Sequence, residues 1–115
     1  MKILKNCIRL SCSVKIYVPS TVEVDKPSDT THYINKTLAF LSNEFGGATA
    51  TEALGAWTSN EGKLIKEKII LVFAFATGEQ LSQSIERVYD FCLSLKHDLT
   101  QSSIALEVNN ELYLI

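Results

Sequence analysis

Gly46-Gly47-Ala48-Thr49-Ala50-Thr51-Glu52-Ala53-Leu54-Gly55-Ala56-Trp57, then Ser59-Asn60-Glu61-Gly62, then Lys63 to Phe75: this stretch decides the fold. Two glycines stop a helix, because glycine takes the left-handed conformation that a helix end needs. Ala48 to Trp57 carries no helical stripe and returns through a polar, glycine-containing turn. It reads as one arm of a hairpin whose other arm is residues 63–76.

Upstream, Ile8, Leu10, Cys12, Val14, Ile16 and Val18 alternate with Arg9, Ser11, Ser13, Lys15 and Tyr17. That period of two predicts a strand over 8–18 with one face on a core, ended by Pro19. Residues 19–29 are a loop between prolines, with Ser28 or Asp29 as the cap of a first helix. Ile34, Leu38, Leu41 and Phe45 form that helix's apolar stripe. After the hairpin, Thr77-x-x-Gln80 is a capping box opening a second helix. Its stripe is Leu81, Ile85, Val88, Cys92 and Leu95, flanked by Tyr89 and Phe91, and it ends near His97. A last strand begins at Ser103, and Asn109-Asn110 makes a tight turn or a bulge before residues 111–115.

The order strand, helix, strand, strand, helix, strand predicts an α+β fold. With right-handed crossovers it gives a ferredoxin-like βαββαβ sandwich: a four-stranded antiparallel sheet with two helices on one face. Residues 1–115 are expected to form one domain, since 115 residues with 46% hydrophobic content suffice for one core.

Several segments together resemble a family of small uncharacterised bacterial domains. They are Gly46-Gly47-Ala48-Thr49, Gly55-Ala56-Trp57, Gly62-Lys63-Leu64-Ile65-Lys66-Glu67 and Gln101-Ser102-Ser103-Ile104. The family pattern runs G-x-T, G-x-W, a turn glycine, a glutamate on the return strand, and a late Q-x-S-V/I. The resemblance covers about residues 45–108 and implies a ferredoxin-like fold. It implies no activity and no catalytic residues.

Pairing Ser59 with Gly62 sets Trp57 opposite Leu64. Thr49, Thr51, Ala53, Gly55 and Trp57 then share a face with Lys66, Lys68, Ile70, Val72 and Ala74. The other face, with Leu54, Ala56, Ile65, Ile69, Leu71, Phe73 and Phe75, is assigned to the helices. An open face bearing Trp57, Ile70 and Val72 is more apolar than water-facing sheet usually is. The reading adopted is a second copy of the chain lying there, as a dimer, with the chain's own tails or a ligand as the alternatives. Glycine inside a strand marks a close neighbour, so the indole or a partner backbone is expected over Gly55.

A net charge of −2, with Arg9 and Arg87 the only arginines, argues against a backbone-gripping nucleic-acid protein. Stacking of single strands on Tyr17 and Trp57 beside Lys15, Lys66 and Lys68 is the third-ranked reading. Gly46-Gly47 ends a helix rather than opening one, so it is no phosphate loop. Cys7, Cys12 and Cys92 have no metal-site or redox spacing, and no cofactor or metal is expected. Charges interrupt the segment from Met1 to Arg9 too often for a signal-peptide or membrane-spanning core, so no membrane association and a cytoplasmic location are expected.

Catalytic candidates are few. Glu67 and Glu52 fall on the hairpin's core side as a carboxylate pair, whose ordinary alternative is a contact to turn amides or a lysine. His32 follows Asp29 at Asp-x-x-His spacing, where a carboxylate orients an imidazole, with Tyr33 beside it and Cys7 or Cys12 as a nucleophile in space. His97 suits the carbonyl end of the second helix. The functional expectation is a non-enzymatic binding or regulatory domain acting as a homo-oligomer through its open sheet face. The alternative is a small-ligand protein or small enzyme, including one that sequesters a signalling nucleotide, using the 19–29 loop and His32.

Overall fold

A computed structural model of the protein describes residues 1–22, 26–27 and 30–115. The alternating stretch becomes β1 (Cys12–Pro19), and its Val14, Ile16 and Val18 are completely buried. Ile8 and Leu10 continue the same alternation but remain exposed, because the neighbouring strand that pairs with β1 ends at Ala76, opposite Cys12. A two-residue ladder joins β2 (Thr21–Val22) to β3 (Lys26–Pro27).

Helix α1 (Thr31–Phe45) has Thr30 at its N-cap; Ser28 and Asp29, expected there, lie outside the described residues. It stops at Gly46, whose φ of 90° is left-handed as the double glycine requires. Helix α2 (Gly78–Asp98) opens on the expected capping box. The Gln80 N–H donates to Thr77 Oγ1 at 3.1 Å, and Gln80 Oε1 accepts from the Thr77 N–H at 2.9 Å. Between the helices Phe40 stacks on Phe91, with centroids 4.4 Å apart, and Arg87 is hydrogen-bonded and ion-paired to Glu44.

β4 (Thr49–Thr58) and β5 (Leu64–Ala76) form the hairpin. Its turn is one residue longer than expected. The Ser59 N–H donates to Lys63 O at 2.8 Å, leaving a three-residue loop in which Gly62 has a φ of 80°. Trp57 therefore pairs with Ile65, not Leu64. A one-residue slip exchanges the faces of a strand. Val72 is 0% exposed and Ala74 3%, both against the helices, whereas Phe75 is 55% exposed on the opposite face. Ile70 also packs against the core. Ile70 and Val72 are thus corrected from open-face to helix-face residues; Ile69, Leu71, Phe73 and Phe75 take their place.

The sheet has five strands, not four: β4, β5, β1 and then residues 105–108 and 111–114, in that order across the sheet and each pair antiparallel. β6 (Ala105–Val108) turns through Asn109-Asn110, with φ of 51° and 68°, into β7 (Glu111–Leu114). Two consecutive left-handed residues make the tight turn, and the extra strand follows from it.

β1 ends opposite Ile69, so among the described residues β4 is the one strand that pairs with residues 64–68 of β5. Five residues at about 3.4 Å each make a two-stranded arm roughly 17 Å long. The molecule measures 52 × 27 × 21 Å, with a radius of gyration of 15.6 Å, against roughly 13 Å for a compact chain of this length. Among the described residues, no helix is long and apolar enough to cross a membrane.

Candidate functional site

The face turned away from the helices is built by strand parity. Ser13, Lys15 and Tyr17 of β1 face outward beside Phe75, Phe73 and Leu71 of β5, their paired residues. Glu107 of β6 stands opposite Lys15. The Tyr17 hydroxyl donates to Glu107 Oε1 at 3.1 Å, and Lys15 Nζ lies 3.6 Å from Glu107 Oε2. The same ammonium sits 5.9 Å from the centroid of Phe73. Burial, followed by the hydrogen bond and the negative charge of Glu107, pushes the Tyr17 hydroxyl above its ordinary pKa and keeps it protonated.

A cleft of about 150 Å³ opens on this face where the α2–β6 connection meets the end of β1; Tyr17, Pro19, Glu67, Ile69, Gln101 and Ser103 are among the residues that line it. The connection is held in place locally. Leu99 is fully buried, Thr100 takes a left-handed φ of 50°, and the Gln101 N–H donates to Lys96 O at 3.0 Å. Gln101 Nε2 donates to Leu99 O at 3.0 Å. Glu67 is far from Gln101 and Ser103 in the sequence, and the fold brings them to one cleft.

Glu67 is half-buried, opposite Gly55, and pairs with no cation among the described residues. The expected carboxylate pair does not form: Glu52 lies on the other face of the hairpin, where its Oε1 is 3.9 Å from Lys68 Nζ. Gly55 has a close neighbour, but not the indole. A Cβ built on Gly55 would lie 2.7 Å from Ile69 Cδ1. Trp57 shares the outward face further along the arm and is 55% exposed.

Lys66 and Lys68 fall on the opposite face from Tyr17 and Trp57, so the stacking platform expected for single strands is divided between two surfaces. His32 is exposed in the first turn of α1, with its ring edge-on to Tyr33 at 5.1 Å, on the helix layer rather than at the cleft. Asp29, its expected orienting carboxylate, lies outside the described residues, as do residues 23–25 and 28 of the expected lid. Cys7 is exposed, Cys12 half-buried and Cys92 buried. His97 Nδ1 lies 3.3 Å from Asp98 Oδ1 in an exposed position at the end of α2.

Glu107 is the residue that sequence reasoning missed. Its signal was present: it is the one charged residue in β6, on the parity that faces Lys15. Another groove, of about 570 Å³, runs between α2 and β7 past Ile85, Tyr89, Leu106 and Tyr113. It is wider than the cleft but apolar, and no carboxylate, amide or lysine lines it.

No family model matches the chain, and no curated protein matches it. Two solved structures do. A phage SAM lyase in complex with S-methyl-5′-thioadenosine superposes with a TM-score of 0.65 at 21% identity, over 95% of this chain and 94% of that one. A phage SAM lyase in its apo state gives 0.64 at 22% identity, over 94% and 93%. The likeness establishes a shared α+β fold along almost the whole chain. The expectation of a non-enzymatic regulatory domain is corrected here, since the two structures that match are both of a phage SAM lyase, an enzyme. The small-ligand or small-enzyme alternative is the better reading, with Glu67 rather than His32 at its cleft.

Proposed function

We propose that this chain is a small enzyme that cleaves S-adenosylmethionine and releases S-methyl-5′-thioadenosine. The observation that carries the reading is Glu67, a half-buried carboxylate with no cationic partner among the described residues, in a cleft of the lyase-like fold. The substrate is a sulfonium cation, and an uncompensated carboxylate at a partly dry surface attracts one. When the bond from sulfur to the aminobutyrate carbon breaks, its electron pair goes to sulfur and a neutral thioether leaves. That departure takes no proton, so the chemistry asks for no histidine, and the exposure of His32 on another surface agrees with it. The substrate's own carboxylate oxygen attacks that carbon as the bond to sulfur breaks, so the aminobutyrate part leaves as a lactone, with no water added and no proton lost.

A cleft of about 150 Å³ is smaller than the roughly 300–1,000 Å³ that encloses a small ligand. The reading therefore includes a homo-oligomer in which a second copy completes the wall. The arm supplies surface for it on both sides, since Leu54 and Leu64 on one face and Trp57 on the other are all more than half exposed. The strand order β4-β5-β1-β6 is that of a split βαβ sandwich, so we infer a ferredoxin-like core to which β7 adds an edge.

The test is direct. Purified protein incubated with S-adenosylmethionine is expected to produce S-methyl-5′-thioadenosine, followed by liquid chromatography and mass spectrometry. Glu67→Gln, which keeps the shape and removes the charge, is expected to slow turnover by about a hundredfold. Folded protein that forms no product above the buffer control overturns the reading.

A further inference from the structure

Glu107 divides its carboxylate between two partners. Oε1 accepts from the Tyr17 hydroxyl at 3.1 Å, and Oε2 faces the Lys15 ammonium at 3.6 Å. Two consequences follow. The only proton of the tyrosine is committed, so the ring is tethered at its far end while it forms part of the cleft wall with Glu67. The charge on Glu107 is balanced by Lys15, so Glu107 does not compete with Glu67 for a cation entering the cleft. An aromatic side chain on an open strand face otherwise has more than one rotamer available, and tethering removes that freedom.

We propose that Glu107 is a positioning residue: acting through Tyr17, it holds an aromatic ring in the wall of the cleft that Glu67 also lines, so that the cleft takes a sulfonium in preference to the neutral thioether. An aromatic ring and a carboxylate are the two groups that attract a weakly hydrated cation. Both attractions disappear when sulfur regains its electron pair, so the same geometry that binds substrate lets the thioether product go. The inference rests on the SAM-cleavage reading and deepens it by assigning the part of the substrate that this wall recognises.

Two uncleaved ligands separate the contributions. Sinefungin carries an ammonium where the substrate has its sulfonium, and S-adenosylhomocysteine carries a neutral sulfur there; the rest of the two molecules is nearly the same. By titration calorimetry the wild-type protein is expected to prefer sinefungin by about tenfold. Tyr17→Leu and Glu107→Ala are expected to bring that preference down to about twofold. Glu107→Gln keeps an oxygen to accept from Tyr17 and is expected to retain most of it. In turnover, Glu107→Ala is expected to raise KM for S-adenosylmethionine about as much as it weakens sinefungin, with kcat little changed.

A folded Glu107→Ala protein with an unchanged preference overturns the proposal. So does one that loses affinity for both ligands equally, which is the mark of a structural role. A wild-type protein that cleaves S-adenosylmethionine yet binds the two ligands alike overturns this proposal alone. One that neither cleaves the substrate nor binds sinefungin overturns the SAM reading and the proposal with it.

Discussion

Ile69 Cδ1 occupies the space beside Gly55, 2.7 Å from where a Cβ would stand. The next nearest atoms, Ile69 Cγ1 at 3.6 Å and Glu67 O at 3.7 Å, are at ordinary contact distance. The close neighbour is therefore the end of a flexible side chain, and that side chain also lines the cleft. Gly55→Ala is expected to change stability by no more than about 0.5 kcal/mol, because rotation of Ile69 relieves the contact and alanine suits a strand better than glycine. Gly55→Val leaves Ile69 no such room. It is expected to raise KM for the substrate by pushing Ile69 into the cleft, and adding Ile69→Ala is expected to recover part of the loss. Wild-type kinetics in Gly55→Val would show that Ile69 is not held there.

The same strand explains where the sequence was legible and where it was not. β1 announces its faces, because Val14, Ile16 and Val18 alternate with Ser13, Lys15 and Tyr17. β5 does not: Ile69 through Phe75 is apolar at every position, so periodicity assigns neither face. Only its pairing with β1 and the length of the 60–62 loop settle which side holds Val72, and loop length depends on Gly62 adopting a left-handed φ. The cap of α2 was legible because it is local, as Thr77 and Gln80 show. The cleft was legible only in pieces. Tyr17, Glu67 and Gln101 each stood out, but their meeting is a product of register and of the path taken after Leu99.

The β6–β7 turn contains two asparagines with unlike duties. Asn109 Oδ1 accepts from the Ser13 N–H at 3.0 Å, and the Asn109 N–H donates to Ser13 O at 3.0 Å, which ties the turn to β1. Asn110 supplies only the left-handed backbone, at a φ of 68°. Asn110→Gly is therefore expected to stabilise the fold by a few tenths of a kcal/mol, roughly, and Asn109→Gly to destabilise it by about 1 kcal/mol. Chemical denaturation of the two variants measures the contrast. Equal effects would show that the contact to Ser13 contributes nothing.

Burial pushes the Cys92 thiol from 9.0 up to about 12. Ionisation is what burial disfavours, so the folded protein keeps this proton while the unfolded chain releases it. Between pH 9 and pH 12 the folded state thus binds more protons, and stability falls as pH rises through that window, with a slope of at most about 1.4 kcal/mol per pH unit from this group. Tyr17, raised by burial and by Glu107, acts in the same direction. Cys92→Ala is expected to flatten the alkaline slope while lowering stability at neutral pH, since it leaves a small cavity in the core. Denaturation midpoints across that pH range measure both. In a thiol assay of native protein, exposed Cys7 is expected to react promptly and Cys92 only after unfolding.

The arm's apolar surface makes the last prediction. Leu54 is 69% exposed and Leu64 61%, and both lie beyond the last residue of β5 that β1 supports. A two-stranded hairpin is marginal in water without cover, and exposed apolar side chains along one of its faces are the kind of surface that another molecule buries. Burying even about 300 Å² of it would contribute roughly 7 kcal/mol before the entropy of association is subtracted. Leu54→Lys and Leu64→Lys touch neither the core nor the cleft. On the proposed reading they are expected to leave the helical circular-dichroism signal unchanged, to shift sedimentation toward the monomer, and to lower turnover through a raised KM, because the cleft would lose the wall proposed for a second copy. If the wild-type protein sediments as a monomer at high micromolar concentration while retaining full turnover, the cleft is complete in one chain and the arm has another purpose. Restoration of turnover at raised protein concentration in the Leu54→Lys variant would separate a weakened assembly from a damaged site.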